Sequence, residues 1–387
     1  MRRTAVAAAL LACSLVAPSA ATAQLSRPKI DTVGSRVVRV MNPGPTAWAD
    51  TNGWKLVLER TIQPAAGQPG ELEDPTGIVL LRDGRVVISQ RQPAMIRLYD
   101  AQGHFVRSIG RDGDGPAEYR TPLIAVRGDT VVAFSGGLGR VTMLTLAGAR
   151  VREFLTNTHH DGPPISIDAR GRLRVTGSRM GAGAFRTQWL YFDLMGKRLD
   201  SLIPPESVVP KTWTVKTDGG VATYYPPLAP TTQHAFRSDG GILYGAGDRY
   251  QLFLTRQGTD TLLIFGRTGI TSAQIPSHYR DSLFDLYARR PELAAVAVKS
   301  DIPTTYSLWN EATFDGNGNP WVSSGQRSTR TLRFDVFAPN GRYLGAVPAP
   351  FPSFYGTSWT GDRVAVIGAD NNELPIVRIY RIDRRGK

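Results

Sequence analysis

The chain has 387 residues, 41% hydrophobic and 20% charged, with a formal net charge of +13 and a single cysteine. Such a length buries a sizeable core without covalent staples, and one cysteine excludes a disulfide framework and any zinc or iron–sulfur site built on thiolates. The positive balance favours anionic partners, but the basic residues are spread evenly rather than in runs, which sets nucleic acid aside.

Residues 1–23, MRRTAVAAALLACSLVAPSAATA, join two arginines, an apolar run and a small-residue end at Ala21-Thr22-Ala23. This is the pattern of a secretory leader cleaved before Gln24, and it is too short to span a membrane. The expected product is periplasmic or extracellular, with lipid anchoring through Cys13 as the minor alternative. Cys13 lies inside the leader, so the mature chain has no thiol. No other segment has spanning length. Residues 24–50 read as an N-terminal extension and 51–387 as a single repeat domain.

The repeat shows first in DPTGIVLLRDGRVVISQRQPAMIRLYDAQGHFVRSIGR, residues 74–111. Four short β-branched runs are separated by Asp83-Gly84, Gln92-Pro93 and Gln102-Gly103, the signature of a hairpin meander. The same order recurs at 123–155 with turns at Gly128 and Gly148, and at 165–203 with turns at Gly171 and Gly196. It recurs again at 234–266 with Gly240 and Gly258, and at 312–347 with Gly318 and Gly341. A four-stranded unit of about forty residues is a propeller blade. A sixth unit is split: TSWTGDRVAVIG and IVRIYRID supply three strands near the C-terminus, and WKLVLERTI near the N-terminus supplies the fourth. The expectation is an all-β, six-bladed β-propeller closed by pairing of the N-terminal strand with the C-terminal blade.

Between the first two blades, GRDGDGPAEYRTP (110–122) gathers Asp112, Asp114 and Glu118 among glycines. Its fifth and twelfth positions as a calcium loop are Pro116 and Leu123, and it lacks a phosphate-loop lysine. It reads as a chain corner in which Glu118 accepts backbone hydrogen bonds. DGNGNPWVSSGQ (315–326) likewise reads as a hairpin turn. Two insertions interrupt the rhythm. Residues 204–231 form a proline-rich loop with a hairpin at Gly219-Gly220. Residues 272–292 hold one inserted helix, with Tyr279, Leu283, Leu286 and Tyr287 at helical spacing and Arg289 and Arg290 near its end.

The string SIGRDGDGPAEYRTP resembles an inter-blade element of bacterial secreted six-bladed propeller proteins in the NHL-like group, in which "iG…G.GPGEF..P" recurs; Ala117 and Tyr119 stand where glycine and phenylalanine are usual. VVRVMNPGPTAW (37–48) and FDGNGNPWV (314–322) are similar to the same group. The resemblance implies the fold. Propellers of this shape host ligand binding, lactone hydrolysis and signalling.

No HExxH, GxSxG or CxxC is present. The second-to-third-strand turns carry Arg91, Arg140, Arg179, Arg186, Arg249, Arg327 and Arg330, a candidate cationic rim for carboxylates, sulfates or phosphates. The sixth blade has Asp370, Asn371 and Asn372 there instead. The opposite face carries Arg82, Arg127, Arg170 and Arg237. The rim shares its face with the two insertions, where pockets are expected. The leading expectation is a non-catalytic binding propeller, a monomer without cofactor, recognising an anionic glycan or a partner protein. The alternative is a metal-dependent lactonase-type hydrolase. It would hold a divalent cation through His159, His160 and His234, or through carboxylates and amides such as Glu73, Asp74, Asn310 and Glu311.

Overall fold

The computed structural model describes residues 27–34, 36–44, 48, 53–158, 165–181, 184–217, 220–324 and 332–384, with backbone only at 179–181 and 184–186. The leader, His159, His160, Arg327 and Arg330 lie outside the described residues, as do the side chains of Arg179 and Arg186.

Six antiparallel sheets follow one another along the chain as blades one to six: 75–108, 123–155, 166–202, 233–268, 309–348, and 357–383 with the strand Lys55–Ile62. The architecture is a six-bladed β-propeller. In the sixth sheet Lys55–Ile62 runs antiparallel to Pro375–Asp383, so its fourth strand comes from far upstream in sequence. Each of the ten turn glycines named above adopts a positive φ, between 60° and 95°. Short acids fix these turns from the side. Asp100 accepts from the Gln102 and His104 amides, Asp193 from those of Met195 and Lys197, and Asp315 from those of Asn317 and Asn319. Just before the third-to-fourth-strand turn, blades one to five each carry a register shift, as at Leu98/Tyr99 and Val336/Phe337. The blade unit is thus repeated down to its bulge.

The segment 110–122 is a corner. Arg111–Asp112 pairs with Glu118–Tyr119, and Glu118 accepts from the Gly115 amide at 2.6 Å and from Arg111 at 2.7 Å. The fully buried Tyr119 hydroxyl donates to the Ile109 carbonyl and accepts from the Ile96 amide. Both insertions also take the expected form, with Trp213–Thr217 pairing with Gly220–Tyr224 and one helix, α1 (Ser277–Ala288). No residue of α1 is buried, however; Leu286 and Tyr279 are exposed, and Tyr287 meets the edge of Trp213. Of the apolar residues of α1, Tyr287 thus meets the other insertion, and none enters a core.

The extension at 24–50 is more than a tail. β1 (Lys29–Val33) and β2 (Val37–Pro43) form a hairpin, and β2 adds in parallel to Thr261–Thr268, widening blade four to six strands. Asn42, 6% exposed, then joins blade four to blade five. Its amide donates to the Gly266 and Gly341 carbonyls, each at 2.9 Å, and its oxygen accepts from the Tyr343 amide at 2.9 Å. Further on, Trp48 occupies the space a Cβ would need at Gly345 and stacks on Trp54.

The apolar core is divided among the blade junctions. Separate clusters seal blades six and one, one and two, two and three, four and five, and five and six. Among the described residues, no such cluster joins blade three to blade four.

Asn42→Ala strands three buried backbone groups at once and is expected to lower unfolding stability by about 2–3 kcal/mol. Urea denaturation measures it, and a change under about 0.5 kcal/mol, the range of an ordinary surface substitution, would show that the hairpin does not staple the two blades.

Candidate functional site

A cavity of about 640 Å³ opens on the face built from the first-to-second-strand turns. Its walls come from the turns of blades one, three, four, five and six, including Leu81–Gly84, Asp168–Arg172, Phe236–Gly240, Phe314–Gly318 and Trp359–Arg363. The turns are tied to one another. The Ala169 amide donates to the Ser238 carbonyl at 2.7 Å, and Asn317 Nδ2 donates to the Gly361 carbonyl at 3.2 Å. Gly240 and Gly316 let neighbouring turns approach so closely that a Cβ would meet Arg172 in one case and Gly361 backbone in the other.

Five arginines line this cavity, Arg82, Arg172, Arg174, Arg237 and Arg363, against the three aspartates Asp168, Asp315 and Asp362. Three of the arginines are neutralised. Arg172 Nε donates to Asp168 at 2.7 Å, Arg237 makes a two-pronged pair with Asp239 at 2.8 and 2.7 Å, and Arg363 Nε donates to Glu59 at 2.6 Å. Arg237 in turn holds the Asp239 carboxyl below its ordinary range. Asp315 spends its oxygens on Asn319 Nδ2 and Trp321 Nε1 as well as on its own turn. Arg82 and Arg174 have no carboxylate partner among the described residues.

Arg174 lies at the blade junction that lacks an apolar cluster. It is 4% exposed, its guanidinium stacks 3.0 Å from the centroid of Phe236, and Trp189 stands at 5.6 Å. Tyr191 stands beside it and favours its charged form, but Nε and Nη2 are buried with no hydrogen-bond partner among the described residues. Burial pushes this guanidinium down to about 9, with Tyr191 and Asp168 only partly restoring the charged form. A fully desolvated cation is costly unless an anion meets it. Here its side chain forms part of a cavity wall.

His234 belongs to the same junction. Its Nε2 donates to the Pro205 carbonyl at 2.7 Å, and its ring meets Trp189 edge-on and lies parallel to Tyr244. Those contacts place it in blade packing, away from His104, which caps its own turn on Asp100. Among the described residues no three His, Cys, Asp or Glu side chains converge as a metal site. Glu311 accepts from Ser353 Oγ and the Phe354 amide, and Asp74 from Arg91, so both serve the backbone or an ion pair.

The rim arginines have local duties. Arg91 Nε donates to Asp74 at 2.9 Å. Arg140 donates to the Asp114 and Glu118 carbonyls at 2.8 and 3.0 Å, bracing the corner, and Arg249 is 81% exposed beside Asp248. On β-strands of blade three Arg179 and Arg186 are direct cross-strand neighbours. The cavity of about 640 Å³ therefore lies on the face opposite the rim. Arg82 and Arg237 were visible there in the sequence as turn residues. Arg174 was not, because in LRVTG it reads as the outward member of an alternating strand.

No protein-family description and no curated protein matches the sequence. Among solved structures the chain is similar to a protein assigned to export in Bacteroides fragilis NCTC 9343, at 11% identity and a TM-score of 0.49, over 89% of this chain and 99% of that one. It is also similar to a DUF4221 member from Bacteroides vulgatus ATCC 8482, at 11% identity, a TM-score of 0.44, and 86% and 99% coverage. A streptogramin B lyase is similar at 12% identity, with a TM-score of 0.44 and coverage of 85% and 98%. At such identities the likeness concerns the fold.

Two measurements follow. Replacing Arg174 by leucine removes a desolvated charge at nearly constant volume and is expected to raise stability, by on the order of 1 kcal/mol; a lower melting temperature would mean the charge is internally satisfied. The His234 imidazole, ordinarily near 6.5, is held lower by burial first and by Arg174 in addition. The unfolded chain then takes up the proton before the folded one, so this contribution is complete above 6.5 and is lost as the pH falls below it. His234→Phe should flatten that acid-side slope in denaturant titrations between pH 5 and 7.5, chosen to bracket the ordinary histidine range.

Proposed function

We propose that this chain is an exported binding propeller that takes a small organic anion, a carboxylate or a phosphate ester, in the cavity on the first-to-second-strand-turn face. The observation that carries the reading is Arg174, a buried guanidinium with two unpartnered nitrogens in the wall of a cavity of about 640 Å³. Arginine presents paired donors in a plane that matches carboxylate and phosphate oxygens. Arg82, from the turn of blade one, supplies a second cation without a carboxylate partner among the described residues. Phe236 and Tyr191 hold the guanidinium planes of Arg174 and Arg172 by stacking, so little ordering is required when an anion arrives. Export rests on the leader pattern of residues 1–23. What favours recognition is that, among the described residues lining this cavity, no nucleophile, base and orienting group come together.

Titration calorimetry of the mature chain with inorganic phosphate and with citrate tests the reading. Binding is expected to weaken with added salt and to fall about tenfold or more in Arg174→Leu, the worth of a charged hydrogen-bond pair. Arg91→Ala and Arg249→Ala should leave it unchanged. Loss in those two variants with retention in Arg174→Leu would move the site to the rim and overturn the assignment.

A further inference from the structure

A second cavity, of about 310 Å³, lies at the junction of blades four and five on the opposite face. Its floor is a buried polar cluster. The Asp335 carboxylate, 2% exposed, accepts from the Tyr250 hydroxyl, from the Tyr343 hydroxyl at 2.9 Å and from Arg267 Nη1 at 3.3 Å. Arg267 also donates to the Gly44 carbonyl and stacks on Tyr343, while its Nε is buried with no hydrogen-bond partner among the described residues. Burial, and next to it Asp335, push the Tyr250 phenol well up, so it stays protonated.

The cluster braces the junction, but three features exceed a bracing role. First, Tyr250 lines the cavity, and because its hydroxyl donates its one hydrogen bond to Asp335, its oxygen is left as an acceptor. Second, Arg333 stands exposed in the wall and has no ion-pair partner among the described residues, leaving the lining two cations to one carboxylate. Third, the remaining wall comes from the segment leading into and out of the helical insertion, which offers the Thr271 and Ser307 hydroxyls beside the apolar Ile270 and Leu308. Ser272, in the same segment, donates to the Tyr306 carbonyl and holds its two arms together.

We infer that this cavity is a separate binding site for a small polyhydroxylated carboxylate of the uronate type. A cation at the mouth takes the carboxylate in two-pronged fashion. Hydroxyls and the Tyr250 oxygen exchange hydrogen bonds with ring hydroxyls, and the apolar side chains cover the ligand's carbon-bound hydrogens. The volume holds one such ring, at the lower end of ligand-pocket sizes. A plain apolar acid would leave the Tyr250 oxygen unpaired, and a neutral sugar would forgo the charged pair with Arg333, so each is disfavoured. The inference does not depend on the anion cavity at Arg174, because the two share no residue.

The test is titration calorimetry of the mature chain with D-glucuronate as probe, alongside glucose and acetate. Saturable glucuronate binding is expected. Arg333→Gln, an exposed change that leaves folding intact by circular dichroism, should weaken it about tenfold, and Tyr250→Phe should weaken it severalfold. Arg174→Leu should leave it unchanged. Absence of glucuronate binding overturns the inference, as does equal binding of acetate, or loss of binding in Arg174→Leu rather than Arg333→Gln. If Tyr250→Phe fails to fold, Arg333→Gln alone decides.

Discussion

The fold depends on one constraint: every blade must bury both of its faces against its neighbours. A four-stranded sheet alone exposes two apolar surfaces, and only stacking in a ring removes them from water. The second strands show how complete the removal is, with Val86, Val87 and Ile88 in blade one and Val131, Val132 and Ala133 in blade two all at 0% exposure. Successive residues of a strand point to opposite faces, so a run buried throughout must be packed on both sides. The core is accordingly distributed among junctions, and each junction needs its own complementary pair of surfaces.

That distribution explains why some features were legible in the sequence and others were not. Turn glycines, turn aspartates and the unit length are local properties: Gly84 with Asp83 and Gly196 with Asp193 specify their turns within a few residues. The corner at 110–122 was legible for the same reason, since Glu118 satisfies donors only three to seven positions away. The attachment of β1 and β2 was not. It is a parallel pairing between residues more than two hundred positions apart, and its decisive group, Asn42, bonds backbone carbonyls, which have no sequence signature. The helix was legible as a helix, but the partner of its Tyr287 was set by the proline-rich insertion through Trp213, which also donates to Asp301.

The functional surface follows the same division. Turn arginines announce themselves on both mouths of the propeller, and the sequence alone offers no way to rank one mouth above the other. Ranking needs the junctions. Arg174 follows Leu173 and precedes Val175, both 0% exposed, and in a sheet solvated on one side it would face water. In a propeller the alternate face is the next junction, and there it meets Phe236 of blade four. The same alternation that makes a blade recognisable conceals the residue with the strongest claim to a ligand.

Blade three and blade four therefore meet under different terms from the rest. Trp189 and Phe236 provide aromatic area, but the space that Leu or Phe fills elsewhere holds a guanidinium and an imidazole. A chain shaped only by stability would place an aliphatic side chain at position 174, where no hydrogen bond is left unmade. Retaining a cation whose nitrogens lack acceptors lowers stability in the empty protein, a cost that an anion in the cavity would offset under the proposed function. Backbone bonds between neighbouring turns, such as Ala169 to Ser238, keep the two blades in register while the junction carries this unpaired charge. The ring tolerates one such junction because the other blade junctions seal by burial, and the N-terminal hairpin adds a staple to the next of them, between blades four and five.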